Sequence, residues 1–441
     1  MSDIRKLVFF ERGVETLTYF SHEMAASFRK MGYQIFFFDI QAEYADTKRL
    51  SRFLKSGETA VITFNFIGLS GEEFLLESES QSVFASRNIP VYCILVDHPL
   101  YYHKQLDETI PNLTVFFIDR QHISYMKRFY KGIPCHFLPL AGNFLMDKEE
   151  RISTDFIPYE NREYKKYADG RCRTQSDSEY EVGFIANYVH LPAIEEHFTS
   201  QTKEYIDFYH EILNYLRLHP SEPLDSAMEH FVRREIPEVT ERELMACFAG
   251  MLFLDMYNRT YFRGETVRTL EDNGVRVHVF GKGWENLKVK HPENLILNGR
   301  QLDSAECVKI IRNTKIALNT MPWFKDGAHD RIFTAMLNKA VSLTDGSIYL
   351  KERFCDGKDL VFYELEHMDA LPEQVLSMLG HPKKMKEIIE YSYERALKED
   401  TWANRAERLR EFFRKNSLTS VLEYVLLNSG HMTDGTVGIT T

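Results

Sequence analysis

The chain has 441 residues, of which 44% are hydrophobic, 27% charged and 13% aromatic. This composition predicts a soluble, packed protein with a large core and argues against a disordered chain or a small stapled scaffold. The 54 basic and 65 acidic residues give a formal net charge of −11, which argues against a general nucleic-acid or anionic-membrane surface.

The cysteines and the N-terminal sequence indicate in which cellular compartment the protein is expected. The 6 cysteines lie far apart and form no C-x-x-C pair, which disfavours a zinc knuckle or a redox motif and fits a reducing environment. The sequence contains no signal-peptide pattern and no apolar run long enough to span a bilayer. We therefore expect a cytoplasmic protein without integral membrane contact.

The first 145 residues alternate short apolar runs with helical stretches. Runs that are apolar on both faces, separated by segments too long for hairpins, are typical of a parallel sheet covered by helices. We predict a Rossmann-like α/β domain over 1–145. Its predicted strands are Leu7–Phe10, Gln34–Asp39, Ala60–Phe64, Val91–Val96, Leu113–Ile118 and His136–Leu140.

The remainder predicts a second unit of the same kind. A charged, tyrosine-rich linker over 146–180 precedes a second Rossmann-like domain over 181–395, which contains a helical insertion over 191–270. Residues 382–426 are predicted to be continuous helix, with a crossover helix over 396–427 and a flexible tail over 428–441. The predicted strands are Glu181–Asn187, Val275–Phe280, Leu295–Leu297, Ile316–Asn319 and Ala340–Thr344.

The segment from Leu318 to Asp345 is the most informative one for chemistry. It predicts a buried strand, a polar loop, a helix that starts near Ala328–Asp330, and a second buried strand. A helix N-terminus at the carboxyl end of a parallel strand attracts a phosphate through its free N–H groups and its dipole. His329 and Arg331 add donors, and the planar guanidinium matches phosphate oxygens. The alternative interpretation is a helix whose first turn carries a surface arginine.

A second segment follows the strand Val277–Phe280, where Gly281-Lys282-Gly283-Trp284 ends the strand. Glycines there let the backbone approach a ligand, and Trp284 is a candidate to cover a flat base. Neither the G-x-G-x-x-G fingerprint nor a P-loop is present, which disfavours a hydride-transfer enzyme and excludes a P-loop nucleotide site.

Two Rossmann-like halves, this glycine-containing strand end and the 320–345 segment together resemble a GT-B glycosyltransferase. More narrowly, 327–336 followed by Leu343-Thr344-Asp345 is similar to the CgeB-like, spore-maturation group of bacterial glycosyltransferases, with its H-x-R-x-F core. One departure concerns the E-x7-E motif of many retaining enzymes, whose positions hold Asp326 and Thr334 here. Asp326 is expected to imitate the first acid, whereas Thr334 cannot replace a ribose-binding carboxylate.

The resemblance implies an α/β GT-B fold with a cleft between the domains, and a nucleotide-diphosphate sugar as substrate. It implies no separate cofactor. The sequence also lacks H-E-x-x-H and compact D-x-D spacings, so we predict no metal. The base would lie against the glycine segment and the turn at 298–300, and the diphosphate at the helix start. The expected donor-binding residues are Asn187, Gly281, Gly283, Trp284, Asn298, Arg300, Lys325, His329 and Arg331.

The acceptor side is expected in the first domain. His98 follows the strand Val91–Val96 and is a candidate base on an acceptor hydroxyl, with Asp97 holding its tautomer. The equally weighted alternative is that Asp97 caps the turn and His98 packs on it. Asp326 completes the catalytic candidates. Asp119 and Arg120 are interpreted as structural or rim residues.

The predicted activity is transfer of a sugar from a nucleotide-diphosphate sugar to a hydroxyl on a protein or surface glycan. Transfer would be metal-independent, and the acid at Asp326 favours retention of configuration. Two alternatives stay open. A sugar-nucleotide epimerase shares the two-domain cleft, and a non-catalytic binding or coat-assembly protein would keep the fold. Sequence alone also leaves an oligomer open.

Overall fold

The structure is a computed structural model that describes residues 4–42, 44–78, 81–144 and 178–429. Most of the predicted linker over 146–180 and most of the predicted tail over 428–441 lie outside these residues. The predicted strands are present to within about three residues at each end.

Among the described residues, six parallel strands form the first sheet in the order β2-β1-β3-β6-β7-β8. A small antiparallel hairpin, β4 with β5, was not predicted. The strands are β1 (Lys6–Glu11), β2 (Gln34–Asp39), β3 (Thr59–Phe64), β4 (Leu76–Ser78), β5 (Gln81–Ser82), β6 (Val91–Leu95), β7 (Leu113–Phe117) and β8 (Cys135–Phe137). The helices are α1 (Glu15–Lys30), α2 (Tyr44–Phe53), α3 (Val83–Ser86), α4 (His103–Asp107) and α5 (Arg120–Phe129).

The second sheet has the strand order β11-β10-β9-β12-β13-β14, again all parallel. This is the doubly wound order, with the switch point beside its first strand. Its strands are β9 (Tyr180–Ile185), β10 (Val277–Phe280), β11 (Leu295–Asn298), β12 (Thr314–Asn319), β13 (Val341–Asp345) and β14 (Val361–Tyr363), the last of them not predicted.

The helical insertion lies between β9 and β10, as predicted, but most of it packs on the first domain. Phe198, Leu213 and Phe248 share one hydrophobic cluster with Val8 and Val115 of the first sheet. Chain order places this insertion in the second domain, whereas packing joins it to the first. Its helices are α6 (Leu191–Thr199), α7 (Lys203–Leu218), α8 (Leu224–Glu235), α9 (Glu241–Gly250) and α10 (Leu252–Asp272).

Helix α10 connects the two cores. Leu254 and Tyr257 near its start belong to the cluster of the first domain, whereas Val267 and Leu270 near its end belong to the cluster around the second sheet. The residues between them therefore lie where the domains meet. The remaining helices of the second domain are α11 (Ser304–Arg312), α12 (Asp330–Leu337), α13 (Ile348–Arg353) and α14 (Leu371–Gly380).

The C-terminal helices are α15 (Pro382–Glu399) and α16 (Trp402–Ser429). The prediction of continuous helix over 382–426 is wrong at one point, because the chain breaks at Asp400-Thr401. Asp400 is fully buried against Arg353 and Arg405, and the Thr401 hydroxyl accepts from the N–H of Asn404 at 3.4 Å to cap the new helix. The predicted return to the first domain is confirmed, since Phe413 stacks on Phe28 of α1. No helix in the described part of the chain is both long and apolar enough to cross a membrane.

Candidate active site

The loops at the carboxyl ends of the two sheets meet each other. Asp119, which follows β7, accepts hydrogen bonds from the backbone N–H groups of Lys325 and Asp326, which follow β12. The Glu15 carboxylate, which follows β1, accepts bonds from the N–H and hydroxyl of Ser304 at the start of α11. The carboxyl edges of the two sheets, where the doubly wound fold places ligands, therefore face each other and are in contact.

One face of α10 presents charged side chains in this region. Asp255, Arg259 and Arg263 are spaced by four residues, which aligns them on one side of the helix. Arg259 forms an ion pair with Asp255 at 2.5 Å and approaches Asp97 at 3.5 Å. Both arginines lie over the ring of Trp323, at 4.5 Å and 5.1 Å from its centroid. We call Asp255, Arg259 and Arg263 the charged face of α10.

Arg263 and Arg331 are two arginines of this region for which the described residues offer no carboxylate partner. Arg263 donates to the Asn187 carbonyl at 3.2 Å, and Arg331 donates through Nε to Asn319 Oδ1 at 3.0 Å. Within the described residues neither forms an ion pair. Nη2 of Arg331 and Nε of Arg263 are buried without a hydrogen-bond partner. These groups leave donors available to an anion.

The pKa values of Arg263 and Arg331 support the same interpretation. Burial, together with the charges of Arg331 and Arg259, lowers the pKa of Arg263 to about 9, and burial also lowers the pKa of Arg331. Like charges held together in a partly desolvated place disfavour the charged forms of both groups. A bound anion would remove that cost, so the pair is a candidate anion site.

The start of α12 is less open than the sequence suggested. Nδ1 of His329 lies 3.3 Å from the N–H of Arg331, as an N-cap does, and 2.6 Å from Asp330 Oδ1. Burial lowers the pKa of His329. The helix start therefore already has its own acceptors, and the guanidinium groups beside it are the stronger candidates for binding an anion.

Lys325 and Asp326 are both engaged in contacts between parts of the chain. Lys325 donates to the carbonyls of Pro220 in the insertion and Pro322 in its own loop, and burial lowers its pKa to about 8. Asp326 lies 2.5 Å from Arg120 of the first domain. Its carboxylate is held by the domain contact, and its place beside a donor sugar stays a prediction.

Thr334 and Arg120 also have definite positions. Thr334 is buried and its hydroxyl accepts from the N–H of Asn143 at 3.1 Å, so it faces the segment that leaves the first domain. Arg120, interpreted from sequence as a structural or rim residue, joins Asp326 and Glu352 of the second domain.

The glycine segment after β10 packs closely against the residues that follow β9. A Cβ on Gly281 would lie 2.3 Å from the Ala186 carbonyl oxygen, and one on Gly283 would lie 1.9 Å from that of Tyr188. Trp284 is only 1% exposed, donates through Nε1 to the Ala186 carbonyl and stacks on Tyr188. Trp284 thus packs in the core of the second domain, and contact of this segment with a base stays a prediction.

Three further donor-site candidates lie near this segment. Asn187 accepts the N–H of Lys282 through its side chain at 2.9 Å. Arg300 is 66% exposed and forms an ion pair with Glu306 at 2.7 Å. The side-chain nitrogen of Asn298 is buried without a hydrogen-bond partner. Asn298 is therefore the base-side candidate with an unused donor.

Asp97 and His98 do not form the pair that was expected. His98 Nδ1 accepts from the N–H of Leu100, so His98 itself caps the turn. Asp97 instead accepts from Asn65 at 3.1 Å. Burial lowers the pKa of His98 to about 3. With one nitrogen occupied and its protonated form disfavoured, His98 is a poor general base, whereas the Asp97 side chain is 33% exposed.

His98 also lines a small enclosed cavity between the first domain, the insertion and the loop after β12. His122 is 2% exposed, its Nδ1 has no hydrogen-bond partner, and burial lowers its pKa to about 3. The other lining residues are Asp119, Gln121, Pro223, Leu224, Asp225, Asp255, Arg259, Trp323 and Lys325. In the described residues no three His, Cys, Asp or Glu side chains are grouped to hold a metal ion.

The sequence interpretation missed Arg259 and Arg263. Both lie in the block that was interpreted as helical core, where their helix is flanked by buried aromatic residues. A signal was present in the four-residue spacing from Asp255 through Arg259 to Arg263, which puts three charges on one face of the helix.

Comparisons with known proteins fit this description. Residues 259–411 match a family described as glycosyl transferase-like, and the match begins at Arg259. A comparison with curated proteins found no match. Among solved structures, sucrose-phosphate synthase of Thermosynechococcus elongatus superposes with a TM-score of 0.51 at 8% identity, covering 94% of this chain and 100% of that one.

Two other similar structures are HepE of Anabaena and a DNA-modifying β-glucosyltransferase. HepE of Anabaena in complex with UDP-glucose has a TM-score of 0.49 at 9% identity, covering 93% of this chain and 99% of that one. A DNA-modifying β-glucosyltransferase has a TM-score of 0.49 at 14% identity, with coverage of 93% and 98%. The two facing Rossmann-like domains define the GT-B fold, and the family match supports a glycosyltransferase.

Proposed function

We propose that this protein is a glycosyltransferase that uses a nucleotide-diphosphate sugar and binds its diphosphate between Arg263 and Arg331. The observation that carries the proposal is this pair of partly buried guanidinium groups, which have no carboxylate partner among the described residues and each keep a buried donor unused. The family match over 259–411 covers both arginines. Similar structures whose descriptions name UDP-glucose are consistent with such a donor.

The chemistry follows from charge. When the bond between the sugar and the diphosphate breaks, negative charge develops on the leaving oxygen, and fixed cations in a partly water-excluded site stabilise that charge. Arg331 is oriented for this role by Asn319, which is itself bonded to Thr344 at 2.9 Å. The proposal is metal-independent because the two guanidinium groups supply the positive charge at the leaving group.

The acceptor is proposed to be a hydroxyl of a protein or glycan that enters beside Asp97. Its carboxylate is partly exposed and follows the central strand β6 of the first domain. Asp97 replaces His98 as the candidate base, because the His98 ring is occupied by Leu100. Retention of configuration also stays a prediction, and Asp326 no longer supports it, since Arg120 holds that carboxylate. Proton NMR of the product anomer decides the stereochemistry.

Titration calorimetry tests the donor site. The full chain is titrated with UDP, GDP, dTDP and ADP, and we expect at least one to bind. Arg263→Ala and Arg331→Ala should each weaken that binding about 10- to 100-fold, as expected when a charged hydrogen-bond donor is removed. Arg268→Ala is the matched control, because Arg268 lies on the same helix but pairs with Glu265.

The outcomes separate the alternatives. If no nucleotide binds, or if Arg268→Ala weakens binding as much as Arg263→Ala, the proposed donor site is wrong. Conversion of a UDP-sugar to its epimer without an added acceptor would favour the epimerase. Binding without conversion of any nucleotide sugar, with hydroxyl acceptors supplied, would favour a binding protein.

A further inference from the structure

We infer that Asp119 of the first domain is a positioning residue for the donor site of the second domain. Its carboxylate is 1% exposed. Oδ2 accepts the N–H groups of Lys325 and Asp326, each at 3.0 Å, while Oδ1 accepts the N–H of Gln121 at 2.8 Å to cap α5. This inference rests on the proposed function, because the loop that Asp119 holds leads directly into the helix that carries Arg331.

The backbone contact between the domains at this point is close. Asp119 and Gly327 form an antiparallel bridge, and the N–H of Arg120 donates to the Asp326 carbonyl at 3.1 Å. A Cβ on Gly327 would lie 2.3 Å from the Ile118 carbonyl oxygen. Only glycine admits this approach, so the loop after β12 adds a short strand-like contact to the first domain.

The same loop is fixed to its own domain at its two ends. The N–H of Met321 donates to Asp345 at 2.8 Å, and the hydroxyl of Ser347 donates to the Gly327 carbonyl at 2.6 Å. The N–H groups of Lys325 and Asp326, in the middle of the loop, bond to the first domain instead. The conformation between the two ends is therefore completed by Asp119.

A carboxylate that accepts three backbone N–H groups forms charge-assisted bonds, which are stronger than neutral ones. Nucleotide binding selects the conformation in which Arg331 and its loop are placed correctly. If Asp119 maintains that conformation, nucleotide affinity depends on the contact between the domains even though Asp119 touches no nucleotide. Donor affinity is then sensitive to any event that separates the domains, including occupation of the acceptor side.

The experiment is Asp119→Asn in the full chain, measured with the nucleotide that the wild type binds. The amide offers one accepting oxygen, so it can serve α5 or the loop but not both. We expect the dissociation constant to rise about tenfold, the effect of losing one or two charge-assisted bonds. The matched control is Asp303→Asn, because Asp303 also caps a helix but bonds to Glu306 within its own domain.

Amide hydrogen exchange gives a readout that a loss of overall stability does not reproduce. In Asp119→Asn we expect faster exchange at Lys325 and Asp326, with the N–H of Met321 unchanged because Asp345 still holds it. If Asp119→Asn does not fold, Arg120→Ala removes only the side-chain part of the contact and should raise the dissociation constant about threefold.

Unchanged nucleotide affinity in the folded variant overturns the inference, and so does an equal loss in Asp303→Asn. Where Arg120→Ala is the folded variant, unchanged affinity overturns it as well. These outcomes are distinct from failure of the proposed function, in which the wild type itself binds no nucleotide.

Discussion

The glycine segment after β10 and the charged face of α10 contact the same short stretch of chain, 186–188, but they do different things there. Gly281 and Gly283 approach its backbone too closely for a side chain, and Trp284 is buried against it. Arg263 touches the carbonyl of Asn187 and keeps a buried donor unused. The segment with the more conspicuous sequence is structural, whereas the helix that resembled core carries the candidate anion site.

Within α10 a second contrast separates two arginines one turn apart. Arg259 is neutralised by Asp255 and approaches Asp97, and its cation lies over Trp323. Among the described residues, Arg263 contacts only a carbonyl and the same aromatic ring. Arg259 is therefore expected to matter for stability, and Arg263 for binding.

The largest expected effect on stability comes from Arg259→Met. Asp255 is 2% exposed, and without Arg259 its buried charge retains only the hydroxyl of Tyr101 at 2.6 Å. Removing one partner of a buried ion pair costs about 3–5 kcal/mol, so the free energy of unfolding in urea should fall by that amount. Arg268→Met on the same helix is the control. A loss below about 1 kcal/mol would mean that Asp255 does not depend on this partner.

Gly283→Ala is expected to lower the free energy of unfolding by about 3 kcal/mol. The φ of 89° at this position is unfavourable for alanine, and the new methyl would clash with the Tyr188 carbonyl. Gly299→Ala is the control, because a Cβ there meets nothing within 4 Å. Thermal or urea unfolding gives the comparison. Nucleotide affinity of the folded Gly283→Ala should stay near that of the wild type. Lost affinity with unchanged stability would return the glycine segment to a ligand-binding role.

The cavity beside the charged face predicts a pH dependence. Burial lowers the pKa of His122 to about 3 in the folded chain, below the ordinary value of about 6.5 in the unfolded chain. The unfolded state therefore binds the proton more tightly, and stability is lost as pH falls from about 6.5 toward 3. Between pH 6.5 and 5 the loss is about 2 kcal/mol.

Replacement of His122 should reduce that loss. Urea unfolding at several pH values should show a shallower acid dependence in His122→Asn than in the wild type. His291→Asn is the control, because the His291 side chain is 51% exposed and should leave the slope unchanged. Equal slopes in wild type and His122→Asn would contradict a buried neutral His122.

The smallest expected effect on stability belongs to Arg263→Met. Burial, together with the charges of Arg331 and Arg259, disfavours its charged form, so an apolar side chain of similar length should leave the free energy of unfolding unchanged or raise it by about 1 kcal/mol. Nucleotide affinity should fall in the same variant. If the free energy of unfolding falls by more than about 2 kcal/mol, Arg263 is a structural residue like Arg259. The proposed difference between the two arginines of α10 would then be wrong.

Several features of the fold follow from local sequence patterns. Apolar runs on both faces predicted the parallel strands, and the strand-loop-helix pattern near Arg331 predicted α12 within about two residues. Such patterns are set by periods of two and 3.6 residues and need no distant contact. The missed strand β14 has only three residues, and the break at Asp400 depends on burial between two arginines, which no local pattern reveals.

The candidate site was predictable only in part. Arg331 and Asp97 stand at the expected strand and helix ends, because the carboxyl edge of a parallel sheet follows from strand direction. The packing of Trp284 on Tyr188 was not predictable, because a tryptophan after glycines has the same sequence whether its ring stacks on a base or on another side chain. Asp97 and His98 are adjacent in sequence, yet their side chains bond to different partners, Asn65 and Leu100.

The amino-acid sequence by itself determined two Rossmann-like halves, a helical insertion between two strands of the second, and a basic residue at the start of α12. Tertiary structure alone decided that the insertion packs on the first domain, that α10 brings Arg263 to Arg331, and that Asp119 completes a loop of the other domain. The physical reason is the distance along the chain over which each kind of interaction acts. Periodicity and caps act within a few residues, whereas electrostatic fields and buried hydrogen bonds depend on neighbours that are far apart in the chain.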